Sequence, residues 1–207
     1  MNERLVLFVV VMTITPGPNN LMLMASGLNH GIRRSLEHFV GICTGFPLLI
    51  LAVGLGFQAV LTTFPGVFWG IKLAGAGFLL YLAARLAGFS IKTGSVGNGQ
   101  SKDPSPARPM RYWQAVLFQW INPKAWTMAI ATLAMFAPQG EPVWPTVTQV
   151  AGSYMLWGSP CVALWLFFGK GMRRFLQDAG NIKRFNIVMA CLLVASVVPL
   201  LLETGEF

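Results

Sequence analysis

Charge is what this sequence has least of. Asp and Glu together number seven, and charged residues of both signs make up 11% of the chain, where a soluble globular domain carries roughly 25%. So few charges cannot hydrate a globular surface. The apolar residues also run in long blocks instead of the periodic stripes that build a water-soluble core. Cysteine is scarce too: Cys43, Cys161 and Cys191 lie far apart inside apolar stretches, with no C-x-x-C pair. That leaves no signal for thiol exchange or a thiolate metal site, and each reads as a small buried apolar residue. No G-x-x-x-x-G-K-(S/T), H-E-x-x-H or G-x-S-x-G occurs, so neither ATP hydrolysis nor a familiar hydrolase chemistry has a carrier in this chain. No cofactor, metal or catalytic residue is expected.

What is present is a series of nearly uncharged stretches at residues 5–28, 39–61, 66–84, 112–137, 146–169 and 185–202. A helix needs roughly 20 residues to cross a 30 Å hydrocarbon core, and each stretch is close to that length. The expected fold class is an all-α integral membrane protein with six transmembrane helices. The third stretch holds Lys72 and the sixth is short and contains Pro199, so five spans is the alternative count. The first stretch is too long for the apolar region of a signal peptide, and Pro16-Gly17-Pro18 interrupts it. It reads as a retained span.

The formal net charge of +8 does not point to nucleic acid, because the basic residues are sorted by loop. Arg33 and Arg34 lie between spans one and two. Arg85, Lys92, Lys102, Arg108 and Arg111 lie between three and four, and Lys170, Arg173, Arg174, Lys183 and Arg184 between five and six. In a six-span topology those three loops share one side, and the opposite side has only Arg4. The positive-inside rule makes the basic side cytoplasmic, with both termini extracytoplasmic. The expected location is therefore the inner (plasma) membrane, multi-pass.

Residues 90–110, rich in Gly, Ser and Pro, read as a flexible cytoplasmic linker. The linker separates a three-helix unit at residues 1–89 from another at 111–207. Three spans per unit means that any structural repeat is inverted across the membrane. Interruptions match between the units: Pro16-Gly17-Pro18-Asn19 about eleven residues into span one, and Asn122-Pro123-Lys124 at the same depth in span four. Pro47 and Pro160 interrupt spans two and five, although prolines in membrane helices often only kink them.

Proline lacks an N–H and clashes with the carbonyl four residues earlier, so Pro16, Pro18 and Pro123 should free the carbonyls of Met12, Ile14 and Gln119. Free carbonyls in hydrocarbon demand a partner. Asn19, Asn20 and Asn122 bring amide groups to the same depth and can cap the resumed half-helices. Those half-helices would direct their N-terminal N–H groups toward the bilayer middle, where Lys124 adds a full charge with no carboxylate in any span to meet it. A solute carboxylate is the expected partner. Lys72 lies near the outer end of span three, where its stem can snorkel to water. His38, at the start of span two, is either a polar end group or a proton-handling residue, and His30 lies in the loop before it.

Thr15-Pro16-Gly17-Pro18-Asn19-Asn20, the run from Lys72 to Leu82, and Asn122-Pro123-Lys124-Ala125 together resemble the LysE/RhtB family of amino-acid exporters, over nearly the whole chain except the linker. The resemblance implies efflux of amino acids or related metabolites by secondary transport, with the proton as the expected coupling ion. The family motif often carries Asp where this chain has Asn19. That departure removes a carboxylate that would suit a cationic amine, and neutral amino acids become the expected cargo. Thr15, Pro16, Gly17, Pro18, Asn19, Asn20, Gln119, Asn122, Pro123 and Lys124 are the candidate substrate-binding residues. The other expected partner is membrane lipid, and a homo-oligomer stays open. Export of another small solute or a metal ion is the rival within the class, although paired metal ligands are lacking. A non-transporting intramembrane enzyme or scaffold is the rival outside it.

Overall fold

The computed structural model describes residues 3–57, 65–88, 108–136, 143–176 and 178–198. Most of the linker, Pro199 and the side chain of Lys72 lie outside the described residues. Among the described residues every regular element is helical: α1 (Glu3–Ile14), α2 (Pro18–Ala52), α3 (Pro65–Leu86), α4 (Tyr112–Ile121), α5 (Pro123–Phe136), α6 (Val143–Ser153), α7 (Ser159–Phe175) and α8 (Ala179–Ala195). Two π-helical segments, Val53–Phe57 and Tyr154–Gly158, adjoin α2 and lead into α7. The continuous runs Pro18–Gly56 and Trp144–Phe175 are long and apolar enough to cross a membrane, and Leu73–Leu86 is a shorter apolar helix.

The expected interruptions are where the prolines put them. Span one divides into α1 and the start of α2, with Gly17 extended (φ −174°, ψ 174°) and Pro18 opening the next helix, where its missing N–H costs nothing. Span four divides at Asn122 into α4 and α5. Pro47 is accommodated within α2. Pro160 follows the π segment Tyr154–Gly158, and its missing N–H leaves the Leu156 carbonyl without its regular partner.

One boundary differs from the sequence expectation. No extended loop separates spans one and two: helix continues to a single break at Gly31, where φ is 75°. Ser26 and Ser35 nonetheless meet at 2.6 Å across that break, whereas nine residues of straight helix would hold them about 13.5 Å apart. The two arms of α2, residues 18–30 and 32–52, therefore fold back on each other, and glycine supplies the left-handed conformation the reversal needs.

Packing is close and organised by small residues. A Cβ at Gly169 would strike the Met24 carbonyl and one at Gly27 the Leu166 carbonyl, so α2 and α7 cross backbone to backbone. Gly41 and Gly45 similarly admit α4, since a Cβ there would lie 2.6 Å from the Tyr112 carbonyl oxygen and 2.8 Å from Val116 Cα; small residues four apart permit such approach in membrane helices. Two apolar clusters result. One joins the first arm of α2 to α3, α4, α7 and α8 through Leu23, Leu79, Phe118, Leu166 and Leu193. The other joins α1 and the second arm of α2 to α5 and α6 through Val9, Leu49, Ile50, Ala129 and Val147. The outward faces remain apolar: Leu7, Trp113 and Phe175 are 66%, 68% and 83% exposed, which suits acyl chains and not water.

Candidate functional site

The two helix breaks meet between the clusters. At the first, the freed backbone groups find partners within the protein. The Thr15 hydroxyl donates to the Met12 carbonyl (2.7 Å), and the Trp165 indole N–H donates to the Ile14 carbonyl (3.2 Å). The Asn20 amide donates to the carbonyls of Thr13 (2.8 Å) and Thr15 (2.9 Å). Asn20 thus holds the end of α1 beside the start of α2 across a gap that has no helical hydrogen bonding of its own.

Lys124, from the first turn of α5, completes the junction. Its Nζ donates to the Thr15 hydroxyl (2.7 Å), the Thr15 carbonyl (2.9 Å) and the Pro16 carbonyl (3.1 Å). The ammonium of one broken helix is therefore seated on the unwound backbone of the other. Gly17 makes room for the lysine stem: a Cβ there would lie 2.6 Å from Lys124 Cδ and 3.1 Å from Nζ. A second link is a reciprocal amide pair, with Asn19 Nδ2 donating to Gln119 Oε1 (2.8 Å) and Gln119 Nε2 donating to Asn19 Oδ1 (3.3 Å). Gln119 Nε2 also donates to the Ala115 carbonyl (2.8 Å). Asn122 closes α4, and its carbonyl accepts from the N–H groups of Ala125 (3.0 Å) and Trp126 (3.4 Å) as α5 begins.

Against this junction lies a cavity of about 50 Å³. Of the sequence-derived candidates, Gly17, Asn19, Asn20, Asn122 and Lys124 line it; Thr15 and Pro16 touch Lys124 from behind, Gln119 is fully buried and orients Asn19, and Pro18 and Pro123 shape the breaks. Two buried oxygens on the lining have no partner, Thr13 Oγ1 and Asn122 Oδ1. A hydroxyl and an amide oxygen left bare in an apolar setting are costly; both are closed off from solvent here and belong to residues that share the lining with Lys124. The cavity has room for a few waters, well below the roughly 300 Å³ at which small-molecule pockets begin.

Sequence reasoning missed Thr13, Cys43, Tyr154 and Ser159 on this lining. Thr13 lies at the end of α1 beside the first break, and the packing of α2, the second π segment and α7 against that break brings in Cys43, Tyr154 and Ser159. His38 is not at this site; it lines a separate cavity with Ser26, Asn29, His30 and Arg108. Among the described residues no group of three or more His, Cys, Asp or Glu side chains could hold a metal ion.

Comparison with known proteins bears on the family. The family model described as LysE type translocator matches residues 10–204. The cysteine/O-acetylserine efflux protein of Escherichia coli (strain K12) is 27% identical over 191 residues, covering 90% of this chain and 90% of that one. The protein of the same name from Shigella flexneri matches with the same identity and coverage. No solved structure matches.

Proposed function

The chain belongs to the LysE type translocator family, and on that premise we propose that it exports neutral amino acids across the inner membrane as a secondary active transporter. The observation that carries this reading is that Lys124 and the two residues with unpartnered oxygens, Thr13 and Asn122, line one cavity. A zwitterionic amino acid needs a cation for its carboxylate and acceptors for its ammonium. Those are the groups on this lining, and no acidic side chain is present to hold a second positive charge. The named cargo of the relatives, cysteine and O-acetylserine, fits the same pattern of a small neutral amino acid.

Transport follows from the two breaks. The halves at residues 1–89 and 111–207 each contain a broken first helix and a π segment near or within the second span, which supports an inverted repeat whose halves rock about the site. The cavity in this conformation is smaller than an amino acid, so loading requires the halves to part. Lys124 then exchanges at least one of its three backbone and hydroxyl acceptors for the solute carboxylate. The proton is the proposed coupling ion.

Two measurements test the reading. Purified protein in liposomes should move labelled neutral amino acids down a gradient, and overexpressing cells should tolerate inhibitory amino acids that deletion cells do not; failure of both sinks the exporter. The topology is tested separately, by a reporter active only in the cytoplasm. It should work when inserted near Gly97 and fail when fused after Phe207, and activity at the C-terminus would break the six-span arrangement.

A further inference from the structure

His38 is buried to 2% exposure, and neither of its ring nitrogens has a hydrogen-bond partner in the protein. It lines a second cavity of about 50 Å³, set apart from the one beside Lys124. The other buried polar groups there are already bonded. Ser26 meets the Ser35 hydroxyl, and Ser35 also donates to the Gly31 carbonyl at 2.9 Å. Asn29 donates to the Ala25 carbonyl and to Asn186 Oδ1, both at 2.8 Å. The imidazole thus has one donor and one acceptor that no protein group meets, both closed off from solvent, on a residue that lines a space wide enough for water.

We infer that His38 holds the coupling proton of the transport cycle, exchanged through this second cavity while the solute passes beside Lys124; the inference rests on the exporter reading. The charged and titratable groups that share this lining are His30, from the first arm of α2, and Arg108, from the segment ahead of α4. Leu82 and Leu86 of α3 and Leu193 of α8 supply apolar surface, and among the described residues no carboxylate lines the cavity. An imidazolium on this lining would share it with the Arg108 cation and no carboxylate, so the proton is best held where water reaches the ring.

The surrounding hinge links that charge state to shape. Ser35 lies one turn before His38 on the same face of α2, and its bond to Ser26 ties the two arms together across Gly31. With the arms held together, parting of the halves would draw the segment ahead of α4 off the first arm and admit water to His38, where the imidazolium can be hydrated. Proton binding then favours the open arrangement and proton loss the closed one, and a ligand that prefers one of two states shifts their balance. By reciprocity, a solute that prefers one arrangement must alter proton binding at His38.

The test uses the full chain in liposomes with a neutral amino acid that it carries. Two rates are compared: counterflow of labelled against unlabelled solute without a proton gradient, and accumulation driven by an imposed pH gradient. His38→Gln keeps polarity and approximate size but cannot carry the proton. It should lose gradient-driven accumulation at least tenfold more than it loses counterflow. A variant that retains the parental ratio of the two rates overturns the inference. So does a parent protein that performs counterflow but ignores the pH gradient, an outcome that leaves the exporter reading intact. A parent protein that does neither overturns the exporter reading itself. If the variant fails to fold, nitrogen-15 NMR of the parent decides, because the chain has only two histidines to resolve. The His38 titration should move when saturating solute is added, and a titration that stays put overturns the inference.

Discussion

Lys124→Met should lower amino-acid export at least about tenfold, equivalent to about 1.4 kcal/mol of lost binding or transition-state stabilisation. Methionine keeps much of the apolar stem that passes over Gly17 and removes the one charge at the junction of the two breaks, so membrane insertion should not suffer. Two losses act together. The Thr15 hydroxyl and the carbonyls of Thr15 and Pro16 lose the donor they share, and the cavity loses its cation for a carboxylate in a place where water is sparse and Coulomb attraction is weakly screened. Substrate choice separates them. Amides of the same amino acids, which lack a carboxylate, should be poor substrates for the parent and should lose less on mutation. An equal loss for acids and amides would assign Lys124 to holding the first break alone. Lys124→Arg should restore only part of the rate, since a planar fork cannot reproduce three bonds converging on a compact ammonium. Parental export by a normally inserted Lys124→Met protein would remove the residue from the mechanism.

The double variant Pro16→Ala/Pro18→Ala should be at least as stable as the parent and yet transport at a tenth of its rate or less. Proline inside a helix costs about 3 kcal/mol relative to alanine, so both changes favour a continuous helix from α1 into α2. The restored N–H groups would bond the Met12 and Ile14 carbonyls, displacing the Thr15 hydroxyl and the Trp165 indole that hold them now. The carbonyls of Thr15 and Pro16 would then turn back into the helix and away from Lys124. A protein with higher thermal stability in detergent and little transport is the expected combination. Unchanged transport would mean that the prolines only bend the chain.

Much of the site's location was legible because proline acts through covalent geometry. A missing N–H and a fixed φ end a helix whatever surrounds it, so the breaks after Ile14 and at Asn122 could be placed from residue type alone, as could the apolar spans on either side. Family membership was legible largely for the same reason, since two of its three motifs lie at these breaks. The extent of α2 was harder. Residues 29–38 carry Arg33, Arg34 and Glu37 and look like a polar loop, but a helix tolerates them on an exposed face, and Gly31 alone performs the reversal.

The sequence by itself determined that the chain is helical and apolar, where its helices break, and that a lone lysine stands at one break, because these follow from hydrogen-bonding capacity and charge within a few residues. Only the tertiary structure decided what meets at the breaks. Lys124 bonds residues more than 100 positions earlier, Trp165 caps a carbonyl 151 residues away, and Asn19 pairs with Gln119. Partner choice at such separations depends on how closely backbones can approach, which Gly27, Gly41, Gly45 and Gly169 permit by presenting no side chain to the neighbouring helix. Thr13 carries no local signal, and His38 was legible only as an end group with a proton-handling alternative. Their bare atoms are a property of the packed molecule that no single segment carries.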